Sequence, residues 1–588
     1  MGDRLLKPTD IKNPEYFHKV IDCQFACPAH TQVPEYIRLI SEKKYDDAYM
    51  INWESNVFPG ILGRVCDRPC EPACRRGRVE EKAVAICRLK RVCADNKGDI
   101  TNRLPKIPEQ KNGKKIALIG GGPASLTVAR DLLPLGYAID LYDDQAEAGG
   151  FIRSQVPSFR LPKKVLDEEV SYILNLGVKT CFNTYISSMK KFLEKDYDAV
   201  FVGTGAPRGR DLDLPGRQEG KEFIHIGIQW LASVQYGHVK KTGKTTLVIG
   251  GGNTAMDCCR TARRLGGKTV RIIVRGPKAK MKASEWEIED ALREDIPIME
   301  YLIPLAFTVE NNRLKGMMFQ PSPDGPASDQ KPVFIPCDEV LIAVGQQNAF
   351  PWIETDLGLI FDASGRPEVD NITFQSSIPK IFFGGDAAFG PKNVITAVAH
   401  GHEAAISIDL FCKGKDLYKR PLPATTLDGQ KMGFNDWMYH NEVSEQQRHA
   451  VPMVSKVKSI KDRLMEVELG FDRKIGKTEA QRCINCDIQT VFSVNLCIEC
   501  DACVDVCPTT CINFIKNEEE DILRKNLSVP AKNRSQSLYV SDLLPTGRVM
   551  VKDENVCLHC GLCAERCPTS AWDMQKYTYQ TAKAGQEQ

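Results

Sequence analysis

Two stretches near the end of the chain restrict it more than anything else does. "CIECDACVDVCP" supplies Cys497, Cys500, Cys503 and Cys507, followed by Pro508. "CLHCGLCAERCP" repeats the spacing with Cys557, Cys560, Cys563 and Cys567, followed by Pro568. Each reads C-x2-C-x2-C-x3-C-P. In that spacing three close thiolates wrap one corner of a [4Fe-4S] cubane, and the fourth crosses to the other cluster of the pair. Cys567 is therefore expected to join Cys497, Cys500 and Cys503, and Cys507 to join Cys557, Cys560 and Cys563. Zinc prefers paired cysteines well separated in sequence, so two copies of a four-thiol run point to iron and sulfur.

The other cysteines sharpen the point by where they lie. The chain has 23 of them in 588 residues, crowded into residues 23 to 93 and 483 to 567, with the long middle nearly free of them. Disulfides account for cysteine density in small secreted domains. This chain is large, and "MGDRLLKPTD" lacks the apolar core of a secretory signal, so metal binding is favoured over disulfides. No apolar run approaches the roughly 18 residues of a membrane span, and a net charge of +2 gives no reason to expect nucleic acid or an anionic membrane as partner. A cytoplasmic protein of several domains is expected. Between the two runs, the polar stretch "NEEEDILRKNLSVPAKNRSQ" reads as a surface excursion or partly ordered loop.

The cysteine-poor middle holds two nucleotide-binding units. "KKIALIGGGPASLTVARDLLPLGYAIDLYDD" is a strand, a glycine turn, a helix and a second strand. Gly120 and Gly122 permit the tight turn and the approach of backbone N–H groups to a pyrophosphate at a helix N-terminus, with Pro123 and Ala124 opening that helix. Ser125 replaces the third glycine and is small enough for close helix packing. Asp143 ends the second strand, where a carboxylate can accept from ribose hydroxyls. "TTLVIGGGNTAMDCCRTARRLGGKTVRIIVRG" repeats the unit with Gly250, Gly252, Asn253, Thr254 and Ala255. Its second strand ends in Arg275, with Lys278 close behind and no acid, which suits the 2′-phosphate of NADP better than the bare ribose of NAD; ordinary surface charge is the alternative for Lys278. Downstream, "VFVGTGA" (with Gly205), "VLIAVGQ" and "IFFGGDAAFG" each run a strand into a glycine turn. In the last, Gly385 precedes Asp386, whose side chain can meet a flavin's ribityl or pyrophosphate region.

Five motifs in one order give the chain a resemblance. "GGGPASLTVA", "GGFIRSQVPSFRLPKKVL", "VFVGTGAPRGRDLDLPG", "VIGGGNTAMDCCRTARRLG" and "GGDAAFGPKNVITAVAHGHEAA" resemble the small subunit of bacterial glutamate synthase. The same module forms the nucleotide-binding part of dihydropyrimidine dehydrogenase and the large subunit of an electron-bifurcating transhydrogenase. The resemblance covers roughly residues 20 to 412. It implies FAD held by the first and last motifs, with Gly149, Gly150, Arg153 and Pro157 along the flavin, Val394 beside Asp386, and an NADPH-binding domain inserted between. The family's usual double arginine after the second NADP strand is here Arg275 then Gly276, so NADH stays open beside NADPH.

The resemblance also bears on an orphan. "EAQRCINC" offers Cys483 and Cys486, but two thiolates cannot hold a cluster. Members of the family carry a helical N-terminal domain with two [4Fe-4S] clusters whose pattern opens with C-x2-C. Here "CQFACP" gives Cys23 and Cys27, "GRVCDRPCEPACRRG" gives Cys66, Cys70 and Cys74, and the opening pair is absent. The resemblance implies that the pair has moved to 483–486, so that one cluster uses Cys23, Cys74, Cys483 and Cys486. The other takes Cys27, Cys66 and Cys70. Some members complete it with glutamine or glutamate, but Lys90 stands there, and an ammonium cannot ligate iron. Cys87, one turn earlier, is the expected fourth ligand, with Cys93 second. That makes sixteen thiolates for four cubanes and leaves Cys181, Cys258, Cys259, Cys337, Cys412 and Cys511 structural or incidental.

The expected fold class is α/β. A helical iron–sulfur domain (1–110) precedes an FAD domain in two parts (111–222 and 346–414), with the NAD(P)H domain (223–345) inserted. A polar connector (415–480) with a helix near "DWMYHNEVSEQQRHA" leads to a ferredoxin-like α+β domain (481–588). The expected reaction is electron transfer between NADPH, FAD and four [4Fe-4S] clusters, to or from a partner redox protein within a larger complex, with no side chain needed as acid or base. The alternatives are an electron-bifurcating subunit, a glutamate synthase small subunit proper, and a cluster-bearing scaffold without nucleotide binding.

Overall fold

"KIALI", "AIDLY" and "AVFV" are short apolar runs, the pattern of strands covered on both faces. The computed structural model describes residues 5–11, 13–326, 331–429, 444–527 and 535–587. In it these runs are the strands Lys115–Ile119, Ala138–Tyr142 and Ala199–Val202. With Lys179–Cys181 and Ile381–Phe383 they form a five-stranded sheet with Lys115–Ile119 at its centre. Every pairing in it is parallel. A second parallel sheet of five is built from Ile224–Ile226, Thr245–Ile249, Thr269–Ile273, Ile298–Met299 and Glu339–Ile342. It is inserted between two strands of the first, and the chain crosses at a short antiparallel ribbon that pairs Arg208–Gly209 with Gln346–Gln347. A three-stranded antiparallel sheet (Leu302–Glu310, Arg313–Pro321, Val333–Pro336) rides on the insert.

Before the first sheet lies a helical domain. Its longer helices are Val33–Ser41, Tyr45–Ser55, Pro59–Val65 and Ile86–Asn96. Pro34 and Pro59 sit in first helical turns, where a missing N–H costs nothing. Tyr36, Tyr49, Trp53 and Phe58 fill the space between the helices and are fully or nearly fully buried. After the nucleotide domains come two small sheets. One pairs Ala424–Gly429 and Ile488–Phe492 on either side of Trp572–Gln580, and the other places Arg548–Lys552 between Ile512–Lys516 and Tyr539–Val540.

Two expectations change here. The segment expected as a polar connector contributes Ala424–Gly429 to the C-terminal sheet. Of the expected helix near 436–450, residues 436–443 lie outside the described residues and 444–450 are not helical. The rest of the connector is a strap: Val467 N–H donates to Phe159 O at 2.9 Å, Arg64 pairs with Glu466 at 2.8 Å, and Lys456 pairs with Asp295 at 2.8 Å. The stretch between the cysteine runs is also less loose than expected. Glu520–Lys525 is a short helix whose Leu523 packs with Leu538, Val540, Val549 and Val551, while 528–534 lie outside the described residues. Among the described residues, no helix is long and apolar enough to cross a membrane.

Candidate functional site

The first glycine loop, and the start of the helix that follows the second, open onto one cavity of about 620 Å³. The first loop needs its glycine: Gly120 takes φ +93°, and a Cβ there would meet Gly203 O at 2.8 Å. In the second loop Gly250 takes φ +138°, and a Cβ would lie 2.2 Å from Ala343 O. Gly120, Gly122, Pro123, Ala124, Asp143, Gly150, Gly205, Gly385, Asp386 and Val394 line the cavity from the first domain, and Asn253 and Thr254 from the second. Asp143 accepts from the N–H of Gly121 at 2.5 Å and of Gln145 at 2.8 Å, and burial lifts its carboxyl to about 6. Asp386 accepts from the N–H of Lys392 at 3.0 Å, and burial likewise lifts it to about 6. Gly149, Arg153 and Pro157 do not line the cavity. Arg153 commits its guanidinium to Ala148 O at 2.6 Å and to Asp167 at 2.7 Å.

A dinucleotide fits this cradle. The loop glycines leave room for close approach to the backbone, and Thr204, on the cavity wall, has a buried hydroxyl with no protein partner. Gly250, Gly252, Arg275 and Lys278 are not among the lining residues, but the N–H groups of Lys282 and Ala283 both donate to Gly251 O at 3.0 Å. The turn after the Thr269–Ile273 strand thus folds back over the second loop and brings Lys278, Lys280 and Lys282 with it. Arg275 and Lys278 are exposed there.

The helical domain reaches this cavity at the cysteines. Val65 and Asp67 line the wall, with Cys66 between them in sequence. Asp67 accepts from Asn253 Nδ2 at 3.2 Å, and Arg68 stacks 4.0 Å from the Trp286 ring, so the cysteine segment is seated on the inserted domain. Cys66 and Cys70 both hydrogen-bond to the sulfur of Cys87, which pulls the Cys87 thiol well below its usual range. The thiols of Cys87, Cys66, Cys27 and Cys70 lie close to the ammonium of Lys90. Cys93 turns away, donating its S–H to Lys90 O at 3.0 Å.

Cys23, Cys74, Cys483 and Cys486 form a second group. Burial, then the neighbouring Cys74, Cys486 and Cys483, push the Cys23 thiol well up. What brings residues 483–486 to the far end of the chain is a set of buried ion pairs. Arg38 reaches Asn485 Oδ1 at 3.3 Å and Asp487 Oδ1 at 2.8 Å. Arg482, fully buried, pairs with Glu479 at 2.8 Å and Glu80 at 2.9 Å, and donates to Lys82 O at 2.7 Å. Glu479 in turn accepts from the Ala85 N–H at 2.8 Å.

In the C-terminal domain the thiols fall into two small cavities. Cys497, Cys500, Cys503 and Cys567 line one, against Phe492, Phe514 and Trp572. Cys507, Cys557, Cys560 and Cys563 line the other, together with Cys511, whose sulfur is 3.5 Å from that of Cys507. The fourth cysteine of each run therefore sits with the first three of the other. Glu499 and His559, both in left-handed backbone, turn their N–H groups to the sulfurs of Cys497 and Cys557, each at 3.3 Å.

The four groups adjoin in sequence along the fold. Tyr36 is raised by burial and by the nearby Cys70, Cys87, Cys93 and Cys23, which belong to both N-terminal groups or lie beside them. Arg75, fully buried, feels both Cys486 and Cys557, and donates to Cys557 O and Glu554 O at 2.7 Å. Cys563 adjoins Cys503. Sequence reading missed Asp67 and Arg75, and the burial of the Lys90 ammonium beside the thiols. The "DR" inside "CDRPC" and the first arginine of "CRRG" stood beside predicted ligands but matched no motif.

Three family profiles match the chain. They are pyridine nucleotide-disulphide oxidoreductase over residues 114–401, dihydropyrimidine dehydrogenase domain II, 4Fe-4S cluster, over 18–101, and 4Fe-4S dicluster domain over 496–571. The β subunit of the NADP(+)-dependent formate dehydrogenase of Moorella thermoacetica is 34% identical over 507 residues, 79% of this chain and 70% of that one. The β subunit of the NADPH-Fe(3+) oxidoreductase of Geobacter sulfurreducens is 30% identical over 529 residues, 82% of this chain and 78% of that one. The small chain of the NADPH glutamate synthase of Escherichia coli is 30% identical over 416 residues, 66% of this chain and 87% of that one.

Proposed function

We infer the activity from the family to which this chain belongs, the glutamate synthase small-chain-like pyridine nucleotide-disulphide oxidoreductases with an N-terminal 4Fe-4S domain and a C-terminal 4Fe-4S dicluster domain. The chain is an NAD(P)H-dependent iron–sulfur flavoprotein oxidoreductase of the β-subunit type. It passes electrons between NADPH, FAD and four [4Fe-4S] clusters, to or from a partner subunit. The observation that carries this reading is the unbroken succession of thiol groups that starts at the cavity wall, beside Val65 and Asp67, and ends at the exposed Cys500. Its order is Cys27/66/70/87, then Cys23/74/483/486, then Cys507/557/560/563, then Cys497/500/503/567.

A bound flavin supplies two-electron chemistry with the nicotinamide and single electrons to clusters that accept one at a time. The chain's own residues do the rest. The glycine loops and Asp143 and Asp386 hold the dinucleotide. The Arg160–Asp257 pair, at 2.7 Å across the cavity, ties the two nucleotide domains together beside it. The thiolates fix the clusters, backbone N–H groups donate to their sulfurs, and burial excludes water from the first two sites, whereas the last two expose Cys560 and Cys500. NADPH is the nucleotide because Arg275 and the lysines of the following turn stand where an NAD site carries an acid. The partner is a redox subunit of a heteromeric complex or a ferredoxin, by analogy with the β subunits that this chain resembles.

Anaerobic titration with NADPH tests the reading: flavin absorbance should bleach, and EPR signals from reduced clusters should follow. Bleaching with no cluster signal would contradict the relay. Equal dye reduction with NADH and NADPH, before and after Arg275→Ala, would contradict the nucleotide assignment.

A further inference from the structure

Helix Ile86–Asn96 carries Cys87 and, three residues on, Lys90, a spacing that puts both on one face. Lys90 is only 4% exposed. Among the described residues no carboxylate pairs with it. Glu71, which accepts the Cys87 N–H at 3.0 Å, is itself paired with Arg448 at 2.6 Å. The thiols of Cys87, Cys66, Cys27 and Cys70 lie close to its ammonium. A buried, unpaired ammonium is costly unless negative charge answers it. Four thiolates around a cubane answer it.

A second buried lysine supplies the contrast. Lys552, fully buried, also faces thiols, those of Cys557, Cys511 and Cys563. It pairs with Glu554 at 3.0 Å, so its charge is cancelled before it reaches that site. The charge of Lys90 is not. Net charge around a cluster is one of the protein's levers on its reduction potential. Reduction adds one electron to a site that is already negative, with no bond made and no proton moved, and a fixed positive charge at short range favours the product.

We propose that Lys90 sets the potential of the cluster held by Cys27, Cys66, Cys70 and Cys87, favouring its reduced form and making it the first acceptor beside the nucleotide cavity. This rests on the four-cluster reading above. The electron comes from the flavin once NADPH has reduced it, and leaves toward the Cys23/74/483/486 site. Lys90 ligates nothing and touches no nucleotide; it acts through the cluster.

The test is an anaerobic redox titration of the full chain followed by EPR, with Lys90→Met, Lys90→Gln and Lys90→Arg. Both neutral variants should keep their iron and their NADPH-driven flavin bleaching. Their equilibrium constant for reducing this one cluster should fall at least tenfold, about 59 mV for a one-electron couple. The Arg variant should stay within about threefold of the parent, and the other clusters should not move. An unshifted potential in an iron-replete neutral variant overturns the proposal. So does an Arg variant shifted as far as the Met variant, since shape and not charge would then matter. Loss of the cluster from both neutral variants also overturns it, because Lys90 would be holding the site together and not tuning it. Failure of the four-cluster reading would show separately, as a missing cluster in the unmodified chain.

Discussion

The two pairs of thiol groups use one chemistry and are built in opposite ways. In the C-terminal domain three thiols of each group come from seven consecutive residues, and left-handed turns at Glu499 and His559 aim backbone N–H groups at their sulfurs. In the N-terminal domain the thiols come from separate helices, and in one group from opposite ends of the chain. Nothing local holds that group together. Arg38–Asp487 and the Arg482 cluster do, all buried but Glu80. The contiguous sites should therefore survive loosening of the tertiary structure, while the assembled site should report on it.

The largest effect expected from this contrast is at Arg482. Arg482→Ala removes the arginine from buried Glu479, leaving it His449, and one of the two arginines from Glu80, leaving it Arg76, a loss worth on the order of 3–5 kcal/mol. The strand of chain from 479 to 487 should come away and take one cluster with it. Iron analysis should fall by about four atoms per chain, while the EPR signals of the two C-terminal clusters persist. Loss of those signals too would mean that the C-terminal domain does not stand independently of the docked segment.

A smaller effect comes from pH. Glu169 accepts from the N–H of Gly60 at 2.6 Å and of Ile61 at 2.9 Å and from Tyr49 at 2.8 Å, which seats the helix leading to Cys66. Burial raises its carboxyl from 4.5 to about 7. The native chain therefore holds this proton over a range where the unfolded chain has released it. Its contribution is fully present below about pH 4.5 and is lost as pH rises through 7. At 1.36 kcal/mol per unit, the change is about 3 kcal/mol. Thermal unfolding of the parent and of Glu169→Gln, compared across that window, should show the parent losing stability relative to the variant as pH rises. Parallel curves would contradict the assignment.

The smallest effect belongs to the contiguous sites. Arg548 pairs with Glu499 at 3.1 Å and Asp501 at 3.4 Å beside the Cys497 run, but its side chain is 32% exposed. Arg548→Ala should cost under about 1 kcal/mol and leave the iron content unchanged, as exposed pairs usually do. A loss of iron here would erase the distinction between the two kinds of site.

The same contrast explains what the sequence made legible. The cysteine runs and both glycine loops could be read because each is a local pattern with a local consequence. The parallel sheets followed from their apolar runs, and the inserted order of the nucleotide domains from the resemblance. Ala424–Gly429 could not be read as a strand: it is polar, and it pairs with residues some 150 positions later. Asp67 and Arg75 escaped for a related reason, and so did the burial of Lys90 beside the thiols. Each has an ordinary charged side chain whose role arises only where separate helices meet. Arg153 was placed along the flavin by the resemblance alone, but Asp167 and Ala148 O hold its guanidinium elsewhere.

The claim on which the account turns is that Cys483 and Cys486 complete a cluster with Cys23 and Cys74. The direct measurement is iron content of a Cys483→Ser, Cys486→Ser double variant, alongside NADPH–dye activity and reduction of the C-terminal clusters. The account predicts a fall from about sixteen to about twelve iron atoms per chain, with dye activity retained and C-terminal reduction slowed. A variant that keeps all of its iron would contradict it.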